Sequence, residues 1–217
     1  MKRITVTICT AAIFLFGCNN NKTTNDKTAA TDSTKTTTDT SSSAMTPPMD
    51  SAAMMKCWMN YMTPGDVQKM IAKSNGTWDE EVTTWMEPGK PPTTSKATAV
   101  NTMILGGRYQ ESHHKGSFNG MLFEGVGTLG YDNAKKVLMM TWVDNMGTGI
   151  EYLEGPWDST SHSANLKGKT TDPMTGKDME VRQLFTVMDD NNQKVEMYAT
   201  HEGKEAKMME IVLKRKK

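Results

Sequence analysis

The chain reads as mainly β: about ten short antiparallel strands, closed as an up-and-down barrel or stacked as a sandwich, preceded by two short helices. Three observations lead there. After Gly76 the apolar and β-branched residues recur with a period of two. Turn chemistry then interrupts the pattern at regular spacing, in Gly106-Gly107, "DNAKK", "NMGTG", "DPMTGKD", "DDNNQK" and "EGKE". The intervals are too short for crossover helices, so successive strands must run antiparallel.

The first segment is not part of the fold. Residues 1–17 read as a signal peptide, with a basic Met1-Lys2-Arg3 and the apolar run "ITVTICTAAIFLF", which is too short for a membrane span. The run ends in "LFGC", Leu15 to Cys18, which resembles a bacterial lipobox with Phe16 where a small residue is usual. Cys18 is the expected lipidation site. It would hold the mature chain in the cell envelope, on the extracytoplasmic side of a bacterial membrane. Of the three cysteines, Cys9 leaves with the signal and Cys18 is acylated. Cys57 remains alone, so no intramolecular disulfide can form.

Residues 18–50 read as a tether. They are almost all Thr, Ser, Asn, Asp, Lys and Ala, without an aromatic, and bury too little to offset their ordering entropy. As a flexible coil such a segment spans about 30 Å, and stretched it reaches on the order of 100 Å. The intact sequence carries 25 basic and 25 acidic side chains; losing Lys2 and Arg3 leaves 23 against 25. That balance gives no basic surface for nucleic acid, and the terminal "KRKK" reads as a solvated tail.

Residues 51–75 form the expected helical cap. Met54, Trp58, Tyr61 and Met62 share a face, and Thr63-Pro64-Gly65-Asp66 reads as the capped start of a second helix ending at Asn75-Gly76. The stretch "MDSAAMMKCWMNYM" holds five methionines beside Cys57, a composition that soft metals such as copper(I) can use. Methionine is, however, abundant along the whole chain, 20 in all. These rows therefore read as adaptable core packing rather than ligands. Residues 76–217 hold the strands.

The segments "YMTPGDVQKMIAKSNGTW", "ILGGRYQES", "FEGVGTLGYDNAKKV", "TWVDNMGTG", "EGPWD", "DPMTGKDMEVR" and "KMMEIVLKRK" follow one another as in an uncharacterised bacterial family, domain of unknown function 1579. The resemblance covers Met55 to Lys217 and implies a calycin-type β-barrel, related in shape to lipocalins. It implies no activity, and Cys57 is not part of its pattern.

Function is read from charged and aromatic side chains in strand interiors. Trp78, Arg108, Glu111, Arg182 and Tyr198 are the candidate ligand-binding residues, since an inward Arg with a Tyr suits a carboxylate or carbonyl. The competing reading makes them outward cross-strand pairs. Gly125 and Gly127 share one strand face and read first as sites of barrel curvature. His113 and His114 are adjacent in a strand, point to opposite faces and cannot chelate one ion. HExxH, CxxC and G-x-S-x-G are absent from the sequence. No catalytic residue, metal site or cofactor is assigned. A barrel for a small apolar or amphipathic ligand is preferred over an acid-base enzyme in the same cavity and over a filled structural barrel.

Cys18→Ser is expected to release the protein from membranes or to block its processing. Persistent membrane fractionation, with cleavage at another site, would refute the lipobox reading.

Overall fold

The computed structural model describes residues 50–86, 90–201 and 203–217. The signal peptide, Cys18 and the tether up to residue 49 lie outside the described residues. The order that follows is one bent helix in two pieces, α1 (Ser51–Met62) and α2 (Asp66–Ala72), and then strands only. Asp50 caps α1 by accepting from the Ala53 amide at 2.7 Å.

The expected cap at Thr63 is corrected. Thr63 closes α1 instead, its amide and hydroxyl both donating to the Met59 carbonyl at 3.1 and 2.6 Å. The reason is Pro64, which disfavours helical backbone in the residue before it. Thr63 accordingly sits extended, at φ −90 and ψ 120. Gly65 becomes the N-cap of α2, and Gln68 reaches back to accept from its amide at 2.8 Å.

The strands are β1 (Gly76–Thr84), β2 (Thr93–Ile104), β3 (Tyr109–Phe118), β4 (Met121–Asp132), β5 (Val137–Asp144), β6 (Glu151–Gly155), β7 (Trp157–Asp158), β8 (Ser163–Thr171), β9 (Asp178–Asp189), β10 (Asn192–His201) and β11 (Lys204–Arg215). All pairings are antiparallel, and β1 pairs with β11 to close the sheet. Pro156, which has no amide to donate, separates β6 from β7, and both pair with β8. They act as one stave, so the barrel has ten. Closure removes every long free edge, which an open sheet of this size would expose.

The bent helix sits at the end where β1 begins. The C-terminal carbonyls of α2 and the residues after it are taken up by barrel side chains. Gln110 donates to the Ile71 carbonyl at 3.0 Å, and Trp78 and Asn101 donate to that of Ser74 at 2.8 and 3.2 Å. Arg215 donates to the Lys73 and Asn75 carbonyls, both at 2.6 Å. These donors serve acceptors that a helix end leaves open, and at Ile71 they add to the Ser74 amide and hydroxyl, which donate to the same carbonyl at 3.0 and 2.8 Å.

The inward apolar residues form two clusters. One gathers Ile71, Leu138, Leu153, Ala164, Leu166 and Val181 on the β5–β9 wall. The other gathers Trp78, Ala99 and Leu213 on the β2–β1–β11 wall.

The Met-rich rows are also corrected. α1 has no buried residue, and its methionines pack on no core. Its end is held from the barrel by Asn133, whose side-chain amide donates to the Asn60, Tyr61 and Thr63 carbonyls. Gly125 and Gly127 serve a close approach, because the Trp142 indole lies across both. A Cβ on Gly125 would come within 2.4 Å of that ring, and one on Gly127 within 2.7 Å of the Ser112 hydroxyl.

Gly125→Ala is expected to destabilise the barrel by about 1–3 kcal/mol through overpacking against Trp142. Trp142→Leu in the same chain should recover part of that loss. Urea unfolding measures both, and a neutral Gly125→Ala would mean that the indole is seated elsewhere.

Candidate binding cavity

Period-two alternation sends one face of every stave inward. In β11 the inward set is Met209, Ile211, Leu213 and Arg215, fixed by their pairing with Thr84, Val82, Glu80 and Trp78. Arg215 is thus the arginine that the register turns toward the interior. Its guanidinium lies 4.4 Å over the Trp78 ring and donates from Nε to the Asp190 carbonyl at 2.9 Å. Its partners are all backbone carbonyls, so its charge meets dipoles and an aromatic face rather than a carboxylate.

Beside Arg215, between α2 and the β9–β10 end of the barrel, a cleft of about 230 Å³ leads inward. Met70, Leu129, Trp157, Phe185 and Val187 make its apolar walls. α2 covers only part of the barrel end, and the cleft is the part left open. A larger groove, about 520 Å³, runs between Asp79, Glu81, Lys96, Thr98, Lys115 and Lys214. By register these residues point outward. The groove lies between solvated charges of both signs and offers little apolar surface to a ligand.

A second inward feature is a polar and aromatic track on β1, β3, β5 and β6. Glu80, almost fully buried, faces His114 Nδ1 with both carboxylate oxygens at 3.1 Å. The His114 ring stands edge-on to Trp142, 4.9 Å between centroids, and Phe123 stacks beyond at 6.3 Å. Trp142 Nε1 donates to Asp144 at 2.7 Å. Burial, and then the neighbouring Asp144 carboxylate, push the Glu151 carboxyl above its ordinary range. Glu80 and His114 form a hydrogen-bonded pair within this track. Among the described residues, no group of three or more His, Cys, Asp or Glu could hold a metal.

The sequence candidates fall differently. Trp78 is inward and fully buried, and its indole N–H is spent on the Ser74 carbonyl. Arg108 does not approach the interior. It lies exposed in the β2–β3 turn and donates to the Leu105 carbonyl at 3.1 Å. Glu111 is on the outer face with His113, 2.8 Å away. Arg182 and Tyr198 do meet, the guanidinium 3.9 Å over the ring, but on the outer wall, where Glu205 takes Arg182 in two bonds of 2.7 Å. The pairing and parity of each strand decide this: Arg182 sits opposite Lys167 and Tyr198, away from the Val181, Gln183 and Ala199 face.

Arg215, His114 and Glu80 were missed. Arg215 stands in a basic run that reads as a tail, yet its spacing from Ile211 and Leu213 continues the inward alternation. That parity was the available signal. Nothing local marks the Glu80 and His114 pair, which sit on β1 and β3 with β2 between them.

Over residues 63–215 the chain matches the family described as "Protein of unknown function (DUF1579)", and it belongs to that family. A crystal structure of Rv2717c from M. tuberculosis is similar in fold, with a TM-score of 0.52 at 13% identity, covering 71% of this chain and 100% of that one. At that identity the likeness concerns the fold alone. No curated protein matches the chain.

Because the folded state holds the Glu151 proton more tightly than the unfolded chain, stability falls as pH rises from the ordinary 4.5 through the raised value. The penalty is absent below that window and complete above it. Glu151→Gln is therefore expected to raise the melting temperature near neutral pH and to lose its advantage by about pH 4. An advantage independent of pH would show that Glu151 is not buried as described.

Proposed function

We propose that this DUF1579 chain is a lipid-anchored binding protein of the bacterial cell envelope that holds a small apolar or amphipathic molecule in its barrel. The observation that carries the reading is the cleft at the α2 end of a closed ten-stave barrel. It is walled by Met70, Leu129, Trp157, Phe185 and Val187, and Arg215 in it donates only to backbone carbonyls, with Lys73, Asp189 and Asp190 also lining it. Ten staves enclose a wider interior than the eight that side chains can fill.

The chemistry follows from the lining. Met70, Phe185 and Val187 would take an apolar body, and Arg215 would draw an anionic head by a charge-assisted hydrogen bond. The cleft's 230 Å³ falls below the roughly 300–1,000 Å³ of pockets for drug-sized ligands. A short chain or a single ring system fits better than a long acyl chain. The Glu80–His114 pair favours a second reading, acid-base chemistry on a molecule held against Trp142. That reading requires turnover, which a carrier lacks.

Titration with a medium-chain fatty acid and its neutral alcohol tests the proposal. Saturable binding of the acid is expected. Arg215→Gln should weaken the acid by about 1–3 kcal/mol and the alcohol much less. Arg215 also anchors α2, so Val187→Asp provides a second variant. It should weaken both ligands while the melting temperature stays close to that of the parent. Arg108→Ala should change neither. Absence of saturable binding, or equal losses in all three variants, would overturn the reading.

A further inference from the structure

The six large apolar side chains of α1 have nothing to pack on. Met54, Met55, Trp58, Met59, Tyr61 and Met62 are between 43 and 61% exposed. At 100° per residue they fill one arc of about 160°, while Lys56, Asn60, Ala53 and Cys57 occupy the opposite face. A contiguous apolar face of this kind on a soluble surface marks an interaction site. We infer that this face is a membrane-docking surface and that its occupant is the interfacial region of a lipid bilayer.

Two features of the chain favour a bilayer over a second copy. The first is area. A helix of 12 residues is about 18 Å long and about 10 Å across, which supplies a few hundred Å² at most. A stable protein interface takes roughly 800 Å² per partner. The second is position. The helix begins where the tether ends, and the tether starts at Cys18. This argument rests on the lipid-anchor reading. On that reading the short segment between Cys18 and α1 would keep the helix at an effective concentration of about millimolar beside its own membrane. A weak interfacial helix then suffices.

The side chains suit that place. Trp58 and Tyr61, edge to face at 6.2 Å, are the residue types that settle at headgroup depth, and methionines adapt to an irregular acyl surface. No charge lies within the arc. Asn133 grips the C-terminal end of α1, so the helix is presented as part of the barrel rather than as a loose arm. Docking it flat brings the α2 end of the barrel, with its cleft, toward the lipid.

The test uses the full mature chain, acylated as purified, on phosphatidylcholine vesicles with brominated acyl chains, alongside the Cys18→Ser chain that carries no lipid. In the acylated protein, quenching of tryptophan emission is expected, and Trp58→Phe should remove most of it, since Trp78, Trp142 and Trp157 face into the barrel and Trp85 lies beside Lys207 after the far end of β1. In the unacylated chain, Met55→Glu with Met59→Glu should lower vesicle partitioning about tenfold or more. Both side chains are exposed, so the melting temperature should hold. An acylated chain bound to vesicles with no quenching overturns the docking surface. A wild-type chain without acyl mass overturns the anchor instead. Concentration-dependent self-association without vesicle binding reassigns the face to a second copy.

Discussion

The backbone carbonyls at the end of α2 need donors, and a barrel interior is a poor place to find them. Ile71, Lys73, Ser74 and Asn75 present four, and Gln110, Arg215, Trp78 and Asn101 answer them. The Ser74 carbonyl lies in a buried setting and left unpaired would cost about 1–3 kcal/mol, whereas Lys73 and Asn75 are exposed. The rest of the architecture depends on this set of bonds. It seats the helix on one end of the barrel, and it explains why Gln110 and Asn101 are buried among apolar neighbours. It also draws Arg215 inward over Trp78. The Asn101 Oδ1 atom is left buried without a protein partner, the one such side-chain atom among the described residues.

The strands place many small residues inside. Ala99, Gly125, Gly127, Ala164, Gly168 and Ala199 are inward positions with little or no side chain. In an eight-stave barrel, large residues opposite them would close the interior. Here the circumference is longer, and Trp142 fills only the space above its two glycines. Small residues therefore serve two ends, tight seating of an indole and relief of bulk.

Charge is distributed by the same geometry. The outer wall carries Arg182 with Glu205, and Lys207 between Glu196 and Glu210. The Lys207 ammonium, with Lys194 beside it, holds the Glu196 carboxyl below its ordinary range, and Glu196 in turn raises Lys207. These pairs are partly buried, Glu196 most of all, so their mutual attraction is set against a desolvation cost. They keep a large β surface soluble and deter wrong pairing. Inside, by contrast, Glu80 meets His114, Asp144 meets Trp142, Arg215 meets carbonyls, and Glu151 lies near Asp144 with its carboxyl pushed up by burial.

Most of the fold was legible in the sequence because its signals are local. A period of two and turn residues such as Asp132-Asn133 and Gly106-Gly107 place ten strands without any knowledge of contacts. Pro64 forbade the helix start that Thr63 seemed to offer, a local rule outweighed by a stronger local rule. The site was less legible, because inward and outward are properties of a closed ring. Arg182 and Arg215 stand in similar alternating strands. Only the pairing of β9 with β8 and β10, and of β11 with β1, puts one on the wall and the other over Trp78. The sequence by itself determined strand number, strand order along the chain, turn positions and the amphipathic character of α1. Tertiary structure decided which face of each strand encloses the cavity, because that choice depends on register across the ring. It also decided that α1 would stay uncovered, because burial requires a partner surface and the barrel presents none to it.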